Sequence, residues 1–224
     1  MSEVSSKMAS NSLPARLLYR FARRLCVGFC RIWLRMRVEG LENVPRSGAF
    51  IVAPVHRSYI DTPIVSVVTT RRLRYMGKDT LWKYPASAWL LSSLGGFPVT
   101  RGTADREALK RCIEVLKGGE PLVLFPEGER KSGPIVKPLF DGAAYVAAKA
   151  GVGILPVGIG GSERVMPKGK NFILPKRVHV IVGELIPPLR TDGARVPRAA
   201  MSSMSAELHD ELQRLFDTAQ VRAG

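Results

Sequence analysis

The stretch AFIVAPVHRSYIDTP, residues 49–63, decides the fold. Ala49–Val55 is an unbroken apolar run, as expected of a strand buried on both faces of a sheet. It stops at His56, and polar and turn residues follow to Asp61-Thr62-Pro63, where a helix can begin. A buried strand that ends in a histidine and passes into a helix is the opening of an α/β unit, and strand ends in such sheets are where functional groups gather.

The same alternation continues outward from that stretch. Leu122–Phe125 and Ile154–Ile159 read as further buried strands, and Val178–Val182 as another. Between them Thr62–Val68, Thr103–Lys117 and Gly142–Ala150 read as helices, the second with Thr103 as its N-cap and Gly118 just past its end. The expected fold is a single α/β domain, residues 38–200, around a mostly parallel or mixed sheet. A helix over about Met204–Val221 closes it within the segment 201–224, and residues 1–12, polar and Ser-rich, read as a disordered tail.

From Leu13 to Arg37 the pattern is helical. Leu17, Leu18, Phe21, Leu25, Phe29, Ile32, Trp33 and Met36 recur at three- and four-residue steps, with Arg16, Arg20, Arg23, Arg24, Arg31 and Arg35 around the rest. The first 40 residues hold eight basic and two acidic side chains, so +6 of the net +15 sits here. Such a helix suits a membrane interface, and also suits packing on its own domain with an arginine face in water. The longest uncharged run, Tyr84–Thr100, is 17 residues and is broken by Pro85, Gly95, Gly96 and Pro98, so no spanning helix is expected. Arginines also cut the N-terminal apolar stretch too finely for a secretory leader.

The surplus of positive charge draws anions: acidic lipid, nucleic acid or polyanionic small molecules. Aromatics are not interleaved with the basic residues as single-stranded nucleic acid would require, so no nucleic acid is expected as partner. Three cysteines without ligand spacing give neither a disulfide framework nor a zinc site, and fit a reducing, cytosol-facing location.

Three clusters could carry chemistry. His56 and Asp61 are five apart, which a continuous helix would not pair, but a turn after His56 would bring the carboxylate back to the imidazole. An imidazole steadied by a carboxylate activates hydroxyls. Equally, Asp61 before Thr-Pro could be an ordinary N-cap and His56 a buried structural histidine. FPEGERKSG, residues 125–133, runs from a strand into a glycine turn with two cations, Arg130 and Lys131. GGFPVTRG, residues 95–102, sets Arg101 at another strand end. His179 and His209 are read as structural.

Together these blocks resemble the 1-acylglycerol-3-phosphate acyltransferase family, glycerolipid acyltransferases with an H-x4-D motif. His56-Arg57-Ser58-Tyr59-Ile60-Asp61 is similar to the family's first block and Gly96-Phe97-Pro98-Val99-Thr100-Arg101 to its second. Phe125-Pro126-Glu127-Gly128-Glu129-Arg130 is similar to the third, F-P-E-G-T-R, and Leu155-Pro156-Val157 to the proline-centred fourth. Gly77-Lys78-Asp79-Thr80-Leu81 resembles the Lys-containing segment between the first two. The resemblance implies a His56–Asp61 dyad, an acyl-CoA or acyl-carrier-protein donor, and lysophosphatidate as acceptor, with glycerol 3-phosphate, a lysophospholipid or a glycolipid as alternatives; the alternative of another class is a non-catalytic protein that binds anionic membrane or nucleic acid. It implies that Lys78, Arg101 and Arg130 hold the acceptor phosphate, with Glu127 and Gly128 shaping the turn and Glu127 reaching toward the acceptor hydroxyl. No metal, cofactor or covalent enzyme intermediate is implied, and the expected location is peripheral, on an anionic membrane's cytoplasmic face. Two positions depart from the pattern: Val55 stands where Asn is usual, and Glu129 replaces Thr, so its carboxylate must turn away, pair with Arg130 or Lys131, or signal a different acceptor. Trp89, Leu90, Leu91 and Leu94 could line an acyl path, dip into lipid, or form a plain core helix.

Overall fold

The structure is a computed structural model and describes residues 12–99, 106–167, 170, 172–189 and 196–224. Among these residues seven strands form one mixed sheet: β1 (Arg37–Glu39), β2 (Ile51–Pro54), β3 (Arg74–Lys78), β4 (Gly96–Val99), β5 (Leu122–Val123), β6 (Ile154–Gly160) and β7 (His179–Val182). Their order across the sheet is β1-β7-β6-β2-β5-β3-β4. Strands β6, β2, β5, β3 and β4 run parallel. Strand β7 opposes β6, and β1 follows β7. The α/β class read from the sequence is the one observed.

Every residue of β2 and of β6 is buried, which is why both read as continuous apolar runs. Among the described residues seven α-helices cover the sheet: α1 (Leu13–Trp33), α2 (Asp61–Val65), α3 (Pro85–Ser93), α4 (Arg106–Lys117), α5 (Gly142–Ala150), α6 (Ser162–Val165) and α7 (Arg198–Ala223). Helix α1 packs on α2 and α3, while α4 packs on α5, and α5 and α7 pack together against β6. Gly160 brings α7 onto the sheet: a Cβ there would lie 2.1 Å from the Ala219 carbonyl oxygen. His179 is buried and bonds Glu39 at 2.8 Å, and His209 bonds the Val136 carbonyl at 3.0 Å, both structural contacts.

Several boundaries differ from the sequence reading. The first helix ends at Trp33 because Arg35 turns left-handed (φ 44°), and Leu34 and Met36 both donate to the Cys30 carbonyl; β1 then starts at Arg37. Helix α2 stops at Val65, three residues early, with the Ser66 hydroxyl on the Pro63 carbonyl. Helix α7 begins at Arg198, earlier than expected. Thr103, the expected cap of α4, lies outside the described residues.

Helix α1 carries the largest surprise. It holds the domain through its small and polar residues, with Ala15, Tyr19 and Cys30 buried. Tyr19 donates its hydroxyl to the Arg71 carbonyl and accepts from the Leu73 N–H, and Arg23 donates to the carbonyls of Ser66 and Thr69. Its large apolar residues face away: Leu13, Leu17, Phe21, Leu25, Phe29, Ile32 and Trp33 are all exposed. Trp89 and Leu90 of neighbouring α3, and Leu81 and Tyr84 before it, are exposed too. Among the described residues, no helix is long and apolar enough to cross a membrane.

Candidate active site

Parallel strands put their C-terminal ends on one edge, so His56 after β2, Glu127 after β5 and Lys78 at the tip of β3 share that edge. The register Val52↔Val123↔Tyr75 sets Lys78 level with Val55, two strands and about 10 Å across from it. Arg101, expected beside them after β4, lies outside the described residues.

The chain turns after His56 as the pairing required. His56 Nδ1 lies 3.0 Å from Asp61 Oδ2, and the Asp61 side chain is sealed from solvent. The same oxygen accepts the backbone N–H of Arg57 at 2.6 Å and of Ser58 at 2.7 Å. Asp61 is therefore no N-cap: Ile60 holds the cap position of α2, and no side chain caps it. An ionised carboxylate only accepts, so Nδ1 carries the hydrogen and Nε2 keeps its lone pair. The ring stacks on Phe125, centroids 3.9 Å apart, and is 15% exposed. Among the described residues nothing hydrogen-bonds to Nε2, which leaves that nitrogen able to accept a hydrogen bond.

Glu127 does not reach toward an acceptor. It is fully buried, and both oxygens accept from Arg57 Nη1, at 2.7 and 2.9 Å. Oε1 also accepts the His56 N–H, and Oε2 the Lys137 N–H, each at 3.2 Å. A buried carboxylate so engaged builds the site rather than binding substrate. Gly128 allows the turn that follows: its φ is +73°, and a Cβ would meet the Phe140 ring at 2.7 Å.

Arg130 is half-buried beside His56, because the next residue, Lys131, donates its N–H to the His56 carbonyl at 2.9 Å. Its guanidinium lies over the Tyr59 ring, 3.3 Å from the centroid. Glu129 points outward and pairs with Lys131 at 2.6 Å, leaving Arg130 to Tyr59. Val55 is buried and spends its N–H on the Val157 carbonyl in the sheet, so no side-chain bond to His56 comes from that position.

Arg57 and Tyr59 escaped the sequence reading as functional positions. Arg57 was legible only as a charge beside a strand end, yet it is buried, and a buried arginine demands a carboxylate. It also donates to the carbonyls of His56, Gly133 and Ile135, and lies 4.7 Å over Phe216.

An apolar pocket of about 300 Å³ opens between α1, α2 and α3. Thr62 and Pro63, next to Asp61, form one wall; Tyr19 and Cys26 form another, and Leu91 and Leu94 a third. The four residues of the 89–94 stretch thus divide, two lining a pocket and two facing out. The Cys26 thiol is pulled down to about 6 by the Cys30 thiol, then, against burial, by Ser66 and Arg23; Cys30 is pushed the other way. A separate cleft of about 670 Å³, beside Glu184, Glu207, Asp210 and Glu211, contains none of these groups, and its carboxylates suit no anionic substrate.

Comparison with known proteins agrees with this arrangement. The profile of the family described as Acyltransferase matches residues 35–160, more than half of the chain. The chloroplastic 1-acyl-sn-glycerol-3-phosphate acyltransferase of Arabidopsis thaliana is 31% identical over 163 residues, which cover 70% of this chain and 45% of that one. The 1-acyl-sn-glycerol-3-phosphate acyltransferase of Bacillus subtilis is 26% identical over 204 residues, 88% of this chain and 96% of its own. The lyso-ornithine lipid O-acyltransferase of Pseudomonas aeruginosa is 26% identical over 213 residues, 88% and 80%. The crystal structure of the 1-acyl-sn-glycerophosphate acyltransferase of Thermotoga maritima superposes with a TM-score of 0.72 at 26% identity, covering 91% of this chain and 78% of that one. The chain spans about half the length of the plant relatives it matches. With the matched segment reaching from the turn before β1 to the end of β6, and holding His56, Asp61, Glu127 and Arg130, the chain belongs to the Acyltransferase family.

Proposed function

We propose that this protein is an O-acyltransferase that moves a fatty acyl group from an acyl thioester to the free hydroxyl of 1-acylglycerol 3-phosphate, giving phosphatidic acid. The observation that carries this reading is the His56–Asp61 bond, which leaves Nε2 basic and accessible on the edge where Lys78 and Arg130 stand. The relatives named for this reaction support the choice of acceptor.

The chemistry balances without a further reagent. Nε2 takes the acceptor's hydroxyl proton as that oxygen attacks the thioester carbonyl. Asp61 steadies the imidazolium that forms. The tetrahedral adduct collapses with loss of the thiolate, which takes the proton back from Nε2 and leaves as thiol, while the new ester is released. The donor, acyl-CoA or acyl-carrier protein, is consumed as substrate, and the scheme calls for no metal or cofactor. Arg130 and Lys78 suit an acceptor phosphate, with Arg101 expected to join them, and the apolar pocket beside Thr62 suits an acyl chain.

The exposed apolar stripe of α1, flanked by arginines, supports attachment to an anionic membrane surface as a peripheral protein. The cytoplasmic face is the side we propose, where a protein with three free cysteines stays reduced. The deciding experiment is thiol release from acyl-CoA against lysophosphatidate, glycerol 3-phosphate, a lysophospholipid and lyso-ornithine lipid. The reading expects lysophosphatidate to be used best; equal use of acceptors with and without a phosphate would refute a phosphate-directed acceptor site.

A further inference from the structure

At the edge of the sheet opposite His56, where the parallel strands enter, arginines gather around one carboxylate among the described residues. Arg16 and Arg20 of α1 converge there with Arg71 and Arg72, and together with Tyr19, Thr70 and Glu120 they line a cleft of about 600 Å³. Glu120 is already shared, pairing with Arg72 and with the buried Arg74 that opens β3. Among the described residues, then, four arginines line a cleft whose single carboxylate also serves a fifth. Like charges held this close repel, and an anion between them removes the cost.

The cleft is also preorganised. Tyr19 ties α1 to both Arg71 and Leu73 through their backbones, and Arg23 ties it to Ser66 and Thr69, so the two walls are fixed relative to one another. Arg71 is held in turn by the carbonyls of Gly48 and Gly119.

What reaches this cleft is set by the helix that forms one wall. Leu13, Leu17 and Phe21 are exposed on the same turns of α1 that carry Arg16 and Arg20. When such an apolar stripe sinks into the headgroup–acyl boundary, flanking arginines stand at the level of the lipid phosphates. From this arrangement we infer a dedicated seat for the phosphate of an anionic phospholipid headgroup between α1 and the segment 70–72. The inference rests on the membrane-surface reading of α1. Because the cleft and the dyad lie on opposite edges of the sheet, the lipid held there is not the one being acylated: it fixes how the domain sits on the bilayer.

The test is vesicle co-sedimentation of the full chain on phosphatidylcholine vesicles with and without phosphatidylglycerol. Two double variants remove equal charge from α1: Arg16→Ala with Arg20→Ala inside the cleft, and Arg24→Ala with Arg31→Ala outside it. A third variant, Thr70→Glu, adds an anion to the cleft and removes no arginine. We expect the cleft double variant to bind anionic vesicles about tenfold more weakly than the other double variant, given paired, charge-assisted phosphate contacts. Thr70→Glu should weaken binding comparably, with turnover of a short-chain, water-soluble acceptor unchanged in all three. Equal weakening by the two double variants, with Thr70→Glu silent, means diffuse attraction only and overturns the seat while sparing the membrane reading. Wild-type protein that ignores anionic vesicles overturns both. Free glycerol phosphate that displaces the protein from vesicles as well as added lipid does would make the occupant a soluble phosphate and overturn the lipid assignment.

Discussion

Arg57 and Glu127 lie 70 residues apart and, both buried, join in an ion pair in which one guanidinium nitrogen meets both carboxylate oxygens. The pair brackets the dyad. The Arg57 backbone N–H bonds Asp61, and Glu127 accepts the N–H of His56, so the histidine is held from both sides.

That relationship has a measurable consequence. Arg57→Met leaves Glu127 buried without its cation, and should cost about 3–5 kcal/mol in denaturant unfolding. Adding Glu127→Leu should return part of that stability. Turnover should stay low in the double variant, since without Glu127 the N–H groups of His56 and Lys137 lose their acceptor. Recovery of turnover along with stability would mean that the pair supports the fold alone.

The stacking of Arg130 on Tyr59 bears on the acceptor. Arg130→Ala should raise the acceptor KM roughly tenfold or more, as loss of a charge-assisted contact of about 1.5–3 kcal/mol implies, with the donor KM little changed. Tyr59→Ala should raise it less, through an arginine no longer held in place, and Tyr59→Phe should restore it because the ring face is what matters. If Arg130→Ala alters only the donor KM, the cation serves the donor's phosphates.

Cys26 reports on the apolar pocket. Of the three cysteines, Cys30 and Cys112 are buried and Cys26 is not, so a maleimide at neutral pH should label Cys26 first. With its thiol lowered to about 6, the reactive thiolate is present above that pH and labelling should fade as pH falls through it. Long-chain acyl-CoA should protect Cys26 and short-chain acyl-CoA should not. Equal labelling with both would place the acyl chain elsewhere.

The apolar stripe of α1 can be tested without harming the fold. Phe21→Ser with Leu25→Ser changes exposed side chains only, and should reduce the salt-resistant part of vesicle binding about tenfold or more. Deleting α1 is a poorer test, since its Ala15, Tyr19 and Cys30 belong to the buried interior. Unchanged vesicle binding in the double serine variant would mean that the stripe does not enter lipid.

Where the sequence was legible, the signal was local. The runs that became β2 and β6 are apolar on both faces, β7 adds only His179 to such a run, and Gly142–Ala150 matches α5 from end to end. The block Arg74–Lys78 gave no such signal: β3 interleaves Arg74 and Lys78 with Tyr75 and Met76, and becomes a strand through pairing with β4 and β5. Periodicity in α1 located its large apolar residues but could not say that Ala15, Tyr19 and Cys30 would hold the domain while the stripe stayed outside. The dyad was legible because five residues and a turn contain it. The bond from Arg57 to Glu127 was not, because only the assembled sheet brings β2 and β5 side by side. That neighbouring also turned Glu127 from an expected substrate contact into an internal one.

The claim on which the rest depends is that His56 Nε2 takes the acceptor's proton, and single-turnover acyl transfer by His56→Ala measures it most directly. The substitution sits at a strand end with its backbone bonds to Glu127 and Lys131 retained, so circular dichroism and thermal melting should show a folded protein. Transfer from acyl-CoA to lysophosphatidate should fall about 10²- to 10⁴-fold, the contribution expected of a placed general base. A folded His56→Ala protein that keeps more than roughly a tenth of wild-type transfer would contradict the account.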